Sequence, residues 1–273
     1  MRFDVLQSIS LAGTSATPND DRLGAGDGVA WVIDGATDLG EPGLVGTRGG
    51  AAWIAQEANS AFTAAGDASV DAIFKGASAR IHRRFEAVRT RAPLGAWELP
   101  SASFLLVRAM VAGVECGWLG DCAALLKRGD TVERIGPLAS KQAETDHAAS
   151  LADHDLGQKI RSGPVRDSLR MARASDDRRV LGVDPAMVDH VGRGVLPAAP
   201  GDELLLMTDG FAALVDVYGV FDDAGLMAAV STNGLADVAL QLRQIEEDDA
   251  GCTRFARFKR SDDATALWLR LAA

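Results

Sequence analysis

Four aspartates of the sequence share one kind of position, at a point where a predicted strand begins or ends. They are Asp34, Asp121, Asp209 and Asp262. Asp34 and Asp209 follow apolar runs, Asp262 precedes one, and Asp121 lies in a Gly-Asp turn between two. Carboxylates at strand ends can converge at one edge of a sheet, and such a cluster of like charges is tolerated only when cations neutralise it. Convergence of these side chains would therefore create a metal site.

The ligand types indicate which metal this site would bind. Oxygen ligands without Cys or His select hard cations such as magnesium, manganese or calcium. The three cysteines have no CxxC spacing and the four histidines form no HExxH motif, which argues against zinc. A second interpretation stays open for each Asp-Gly pair taken alone, because Asp and Gly also form ordinary tight turns.

The order of the acidic motifs along the chain carries more information than any one of them. They are Asn19-Asp20-Asp21, Ile33-Asp34-Gly35, Gly120-Asp121, Thr145-Asp146-His147, Thr208-Asp209-Gly210 and Ser261-Asp262-Asp263. In this order and at this spacing, the series resembles the metal-dependent protein phosphatases of type 2C over essentially the whole chain, from about residue 8 to residue 271.

The resemblance implies an α+β fold, a four-layer α-β-β-α sandwich of two antiparallel sheets flanked by helices. Two or three manganese or magnesium ions would bind at one end of it. The implied metal ligands are Asp20, Asp34, the backbone carbonyl of Gly35, Asp121, Asp209 and Asp262. Asp34 would bridge two ions, and Asp121 and Asp209 would hold the third. The implied catalytic residues are Asp21, Asp34 and Asp209, with Asp21 orienting coordinated water.

A site of this kind would hydrolyse a phosphomonoester. Two divalent ions lower the pKa of a shared water, which then attacks phosphorus in line while the ions offset the phosphoryl charge. The string IDGATD also resembles haloacid dehalogenase-type phosphatases, but those need a nucleophilic Asp where this chain has Val32. The implied function is a protein serine/threonine phosphatase. The alternative is a catalytically weak or inactive regulator that keeps the fold and binds a phosphorylated partner.

Three departures from the type 2C pattern concern phosphate binding, proton transfer and metal binding. Ala16 stands in place of the arginine that often grips the substrate phosphate, and Arg22, Arg48 or an arginine of the flap described below could replace it. Ala36 follows Asp34-Gly35 where many members have His or Met, so no histidine there protonates the leaving group. Asp20 replaces the usual Glu, which makes that ligand arm one methylene shorter.

Apolar patterns predict the elements that must position these residues. Short apolar runs predict strands over residues 28–33, 103–111, 113–119, 123–128, 203–208 and 264–271. An Ala-rich segment with few helix breakers predicts a helix over residues 45–65, and apolar residues at helical spacing predict helices over residues 70–88 and 235–245. No repeat or low-complexity linker divides the chain, so we predict a single domain over residues 1–273.

The segment from about residue 137 to 200 differs in character, because it is polar and holds a cluster of basic residues. The cluster consists of Lys159, Arg161, Arg166, Arg170, Arg173, Arg178 and Arg179. The segment is predicted to be a mobile excursion, and the resemblance implies a flap beside the active site at about residues 148–182. A solvated surface also explains such a cluster; as a functional feature it would contact a phosphorylated protein substrate.

Charge and hydropathy narrow the choice of partners. The 273 residues include 28 Lys and Arg against 38 Asp and Glu, a formal net charge of −10, which repels nucleic acid and anionic lipid. No run approaches the about 18 apolar residues of a membrane span, and Asp4 and Gln7 interrupt the first segment where a signal peptide is apolar. We therefore expect no nucleic-acid or membrane partner and a cytoplasmic location.

Overall fold

The strands and helices come from a computed structural model that describes residues 1–137, 142–154, 156–157, 163–175 and 178–273. The strands are β1 (Arg2–Leu11), β2 (Arg22–Ala25), β3 (Val29–Gly35), β4 (Ala102–Met110), β5 (Gly113–Leu119), β6 (Ala123–Arg128), β7 (Thr131–Ile135), β8 (Gly192–Leu196), β9 (Glu203–Met207) and β10 (Ala264–Ala272). The α-helices are α1 (Gly50–Ala64), α2 (Val70–Val88), α3 (Gln142–Ala149), α4 (Gly163–Arg173), α5 (Asp209–Asp216) and α6 (Asp223–Asp248).

The strands form two antiparallel sheets of five strands each. One sheet has the order β1-β10-β9-β6-β7 and the other has the order β2-β3-β4-β5-β8. All six strands predicted from apolar runs are present, as β3, β4, β5, β6, β9 and β10. The four strands that the sequence did not predict are β1, β2, β7 and β8, and these are the edge strands of the two sheets.

Alternation of side chains along the central strands builds the layers, because successive residues of a strand point to opposite faces of the sheet. In β3, Ala30 and Val32 pack between the sheets, together with Leu204 and other residues of the second sheet. Trp31 and Ile33 of the same strand pack with residues of α1 and α2. The outer face of the other sheet packs against α5 and α6 in the same way. This arrangement confirms the predicted α+β, four-layer α-β-β-α sandwich.

The helices agree with the predicted ones in place but differ at their ends. Helix α2 covers the predicted range, and the side chain of its N-cap Ser69 accepts a hydrogen bond from the Ala72 amide. Helix α1 begins at Gly50, five residues later than expected. The predicted helix 235–245 is the second part of α6, which is interrupted at Gly234, where φ is +83°. None of the helices in the described ranges has the length and apolar character needed to cross a bilayer.

The polar segment returns to the sheet earlier than the sequence predicts. Leu181 exchanges two backbone hydrogen bonds with Ala102 of β4, and β8 then pairs with β5 inside the range predicted as an excursion. Strand β8 reads Gly-Arg-Gly-Val-Leu and has no apolar run, which explains why its pattern was not recognised. Of the predicted basic cluster, Lys159 and Arg161 lie outside the described residues.

Candidate metal centre

Three carboxyl groups from three separate parts of the chain meet at one end of the sandwich. One carboxylate oxygen of each of Asp34, Asp121 and Asp209 lies within 4.8 Å of the other two. Asp34 is near the end of β3, Asp209 is the first residue of α5 directly after β9, and Asp121 connects β5 to β6. Strands β3 and β9 belong to different sheets, so both sheets contribute to the cluster. The sequence predicted that four aspartates would converge, and the group contains three of them, without Asp262.

The turn at Gly120 brings Asp121 to the other two carboxylates. Gly120 has φ of +82°, and a Cβ there would lie 2.1 Å from the hydroxyl oxygen of Ser103. Ser103 is the partner of Asp34 in the register between β3 and β4. The backbone therefore crosses directly over Ser103, which requires glycine on grounds of both φ and space, and Asp121 arrives beside Asp34.

The electrostatics of the cluster call for a cation. Burial raises the pKa of Asp34 well above its usual value, and the charges of Asp209, Asp21 and Asp121 raise it further. Among the described residues, Oδ1 of Asp21 is buried without a hydrogen-bond partner. An all-oxygen donor set with an unsatisfied buried carboxylate oxygen fits a hard divalent cation such as manganese or magnesium.

Asp21 lies on the buried side of this cluster. Its Oδ2 accepts a hydrogen bond of 2.9 Å from the hydroxyl of Thr208, which in turn accepts the backbone N–H of Thr265 at 3.0 Å. Burial raises the pKa of Asp21 well above its usual value, and Asp263 raises it further. Thr208 thus fixes the orientation of Asp21, a role that the sequence analysis did not recognise although Thr208 directly precedes Asp209.

Asp20 packs against Gly35, which directly follows Asp34 and lines the same cleft. A Cβ at Gly35 would lie 2.9 Å from both Cβ and the carbonyl oxygen of Asp20, so only glycine permits this approach. The Asp20 amide donates to Oδ2 of Asp263 at 2.7 Å. Burial raises the pKa of Asp20 to about 6, helped by Asp263 and Asp38. Asp20 is not one of the three grouped carboxylates, and its role as a metal ligand, like that of Gly35, stays a prediction.

Asp262 also lies outside the group of three, and a cation of the chain itself contacts it. The ammonium of Lys259 is 2.5 Å from Oδ1 of Asp262. Burial, together with the charge of Asp209, raises the pKa of Asp262, and Lys259 opposes this shift. Burial alone would lower the pKa of Lys259, but Asp262, Asp34 and Asp209 raise it above its ordinary value. The sequence analysis did not consider Lys259.

A cleft of about 390 Å³ opens from the carboxylates. Asp34, Asp121, Asp209 and Asp262 lie at its acidic end, and Lys259 lines it beside them. The remaining walls hold the cations Arg173, Arg178 and Arg257, the acidic residues Glu144 and Glu246, and apolar side chains including Leu169, Val217 and Phe258. The arginines of these walls suit an anionic group, and the apolar side chains suit a partly apolar ligand.

The histidine of the Thr-Asp-His motif has a packing role. Nε2 of His147 lies 2.6 Å from the hydroxyl oxygen of Ser168 on α4, and its ring packs edge-on against Phe258 with centroids 5.1 Å apart. His147 is not among the residues that line the cleft, although its neighbour Thr145 is. The contact with Ser168 joins α3 to α4.

The fold and the acidic cleft define a class of protein: an α-β-β-α sandwich with a cluster of carboxylates suited to metal ions at one end. The profile of the family described as protein phosphatase 2C matches residues 13–245, which is most of the chain. The chain therefore belongs to the protein phosphatase 2C family. Among curated proteins, none matches this chain in sequence.

Solved structures of bacterial phosphatases have a similar fold. The serine/threonine phosphatase PstP/Ppp of Mycobacterium tuberculosis has a TM-score of 0.62 and 16% identity, with 100% of both chains covered. The catalytic domain of PstP in complex with two manganese ions has a TM-score of 0.59 and 15% identity, covering 100% of this chain and 98% of that one. PppA of Pseudomonas aeruginosa, a key regulatory component of T6SS, has a TM-score of 0.58 and 20% identity, covering 99% and 98%.

Proposed function

We propose that this protein is a metal-dependent protein serine/threonine phosphatase that uses two or three manganese or magnesium ions. The observation that supports this most strongly is the approach of Asp34, Asp121 and Asp209 to within 4.8 Å at the acidic end of a cleft, in a chain of the protein phosphatase 2C family. When bound, divalent cations supply Lewis-acid chemistry that activates water and stabilises the charge of the phosphoryl group.

Different side chains of the site would have different roles in that chemistry. Asp34, Asp121 and Asp209 would hold the cations, joined by Asp20, the carbonyl of Gly35 and Asp262 as the sequence predicts. Asp21 would accept a hydrogen bond from the attacking water, since its Oδ1 has no other partner among the described residues and Thr208 holds Oδ2. Membership of the family makes phosphoproteins the proposed substrate class. The cations that line the cleft provide a counter-charge for phosphate.

Proton delivery to the leaving group is the weak point of this site. Ala36 and Thr37 line the cleft directly after Asp34-Gly35, and neither side chain is a general acid at neutral pH. A leaving group of low pKa departs without protonation, whereas a serine alkoxide does not. We expect slow turnover of phosphoserine unless another group of the bound state supplies the proton.

Hydrolysis of p-nitrophenyl phosphate by the purified full chain tests the proposed function. Activity should require manganese or magnesium, disappear with chelator, and fall at least about 100-fold in Asp209→Asn, since metal contacts contribute several kcal/mol to the transition state. Asp130→Asn, an exposed aspartate in the turn between β6 and β7, is the matched control and should retain activity. Equal rates for Asp209→Asn and wild type would reject the proposal.

A regulator without turnover is the second candidate, and the Lys259–Asp262 ion pair favours it. A lysine that already neutralises one predicted ligand competes with metal for that position. The loss of the usual phosphate-binding arginine at Ala16 points the same way. If wild type and Asp209→Asn are equally inert with manganese, magnesium and calcium, the regulator is the better description. In either case we keep the cytoplasm as the proposed location, and contact of the flap with a phosphorylated protein as the proposed mode of binding.

A further inference from the structure

Two arginines next to the acidic end of the cleft have no role in the predicted metal site. Arg173 is the last residue of α4, and Arg178 follows in the segment that leads back to β4. Both are half-buried, and both line the cleft together with Asp34 and Asp121. They belong to the basic cluster that the sequence singles out, for which a solvated surface was the alternative explanation. Their place in the cleft wall favours a role in binding.

The guanidinium of Arg173 is anchored directly above the metal-binding loop. It donates a hydrogen bond to the carbonyl of Thr37, three residues after Asp34. Arg178 lies 3.4 Å from the hydroxyl oxygen of Ser101. Among the residues that the structure describes, each side chain uses one nitrogen on the protein. A guanidinium has five N–H donors in total, so further donors of each arginine are left for a ligand.

The charges of the two arginines act on each other and on the acidic cluster. Burial and the positive charge of Arg178 lower the pKa of Arg173 to about 10, although Asp38 and Asp34 oppose the shift. Burial also lowers the pKa of Arg178, with Asp121 opposing. Two like charges this close favour an anion between them, and metal ions on the carboxylates would add to that preference.

The other arginines considered for this role lie outside the cleft wall. Arg22 donates to the carbonyl oxygens of Asn19 and Asp21 at 3.1 and 2.6 Å. Arg48 donates to the same Asn19 carbonyl at 3.0 Å. Neither lines the cleft. These two arginines fix the backbone of the Asn19-Asp20-Asp21 motif, which makes them positioning residues for the motif.

We propose that Arg173 and Arg178 together grip the phosphoryl group of the substrate, in place of the arginine that Ala16 has replaced. This inference rests on the proposed function, because it assigns the phosphate-binding residues of the same site. The fork of a guanidinium donates two parallel hydrogen bonds to phosphate, which a lysine cannot do. Arg173 ends α4 and Arg178 lies in the segment after it, where the flap is predicted. Phosphate binding would therefore depend on the position of that segment.

Helix α4 supplies its own matched control. Arg170, one turn before Arg173, donates to the carbonyl of Leu39 at 2.9 and 2.5 Å and stacks on the ring of Trp97 at 3.9 Å. Arg170 and Arg173 thus both tie α4 to the loop at residues 37–39, but Arg170 does not line the cleft. Loss of either side chain removes a tether, whereas only loss of Arg173 would remove a phosphate contact.

The test is a calorimetric titration of inorganic phosphate into the full chain at saturating manganese. We expect Arg173→Gln and Arg178→Gln each to weaken phosphate binding about 10- to 100-fold, the usual effect of losing a charge-assisted hydrogen bond, and Arg170→Gln to change it less than about twofold. Arg173→Lys should bind phosphate with intermediate affinity. Manganese uptake, measured by electron paramagnetic resonance, should be unchanged in all of these variants.

Three outcomes would overturn the grip: phosphate affinities of Arg173→Gln and Arg178→Gln equal to that of wild type, an equal loss in Arg170→Gln, or no phosphate binding by wild type. The titration is independent of turnover. A wild-type protein that hydrolyses nothing but loses phosphate in Arg173→Gln would reject the proposed function and keep the grip. An active enzyme whose Arg173→Gln and Arg178→Gln variants bind phosphate as tightly as wild type would reject the grip and keep the proposed function.

Discussion

Lys259 and Asp262 form an ion pair of 2.5 Å at the acidic end of the cleft, where the family pattern leads one to expect a divalent cation. Lys259 also lies close enough to Asp34 and Asp209 for their charges to raise its pKa. The protein thus supplies one positive charge of its own to a site built for positive charge. Metal binding by Asp262 requires the ammonium of Lys259 to move away or to share the carboxylate.

Removing this competing cation should strengthen metal binding. We expect Lys259→Met to bind manganese about tenfold more tightly than wild type, equivalent to ~1.4 kcal/mol, because the metal no longer displaces an ion pair. Without metal, the same variant should melt at a lower temperature, since Asp262 loses its partner. Lys75→Met, an exposed lysine on α2, is the control. Weaker manganese binding in Lys259→Met would mean that the lysine assists the site.

Asp34 should matter more to metal binding than Asp121. Asp34 is the carboxylate whose pKa is raised by burial and by Asp209, Asp21 and Asp121 together, and the family pattern assigns it to two ions. Calorimetric titration with manganese should therefore show loss of at least one full equivalent in Asp34→Ala and a smaller loss in Asp121→Ala. Unchanged uptake in Asp34→Ala would contradict the assignment.

Stability without metal should depend on pH through Asp20. Its pKa in the folded protein is about 6, above the ordinary value of 3.8, so ionisation of Asp20 destabilises the fold. The contribution of protonated Asp20 to the stability of the fold is complete below about pH 4 and is lost as the pH rises through about 6. With chelator present, the melting temperature of Asp20→Asn should therefore rise relative to that of wild type between about pH 4 and about pH 6.5. The difference in melting temperature between the control Asp130→Asn and wild type should not change over this range.

The same pair of proteins tests whether Asp20 is a metal ligand. With saturating manganese at pH 7, an Asp20 that binds the metal stabilises wild type, and the sign of the melting-temperature difference reverses. If Asp20→Asn still melts above wild type with manganese present, Asp20 does not bind the ion, and Asp21 becomes the better candidate for that position.

Leaving-group chemistry should show the effect of having no general acid at residues 36 and 37. Because Ala36 and Thr37 offer no proton donor, the rate of chemistry should fall steeply as the pKa of the leaving group rises along a series of aryl phosphates. Phosphoserine peptides should be the poorest substrates in kcat. Nearly equal kcat values across the series would indicate either an unrecognised acid in the cleft or a slow step other than chemistry.

The central strands could be predicted because they are buried on both faces, whereas the four-layer sandwich was implied by the resemblance to the type 2C phosphatases. Residues 29–33 of β3 form one unbroken apolar run because of this burial, and residues 70–88 show a helical stripe because α2 buries one side. Edge strands lack this signal: β1 reads Arg-Phe-Asp-Val-Leu-Gln-Ser-Ile-Ser-Leu, with a bulge between Val5 and Gln7 and most side chains at least partly exposed. Their pairing depends on neighbours far away in sequence.

The residues of the site also divide into those that the sequence could predict and those that it could not. Asp34, Asp121 and Asp209 were predictable because strand ends and turns mark them locally. The contact of Lys259 with Asp262 depends on the loop before β10, and the place of Arg173 in the cleft depends on how α4 packs against residues 37–39. Neither contact leaves a periodic pattern in the sequence, so only the three-dimensional arrangement could identify these two cations.

Anomalous diffraction from a crystal of the wild-type protein grown with manganese tests the central claim most directly. The account predicts an anomalous peak in contact with carboxylate oxygens of Asp34, Asp121 or Asp209, with Asp34 bound to at least one ion. The absence of any peak at these three residues at saturating manganese, or peaks only at other surface carboxylates, would contradict it.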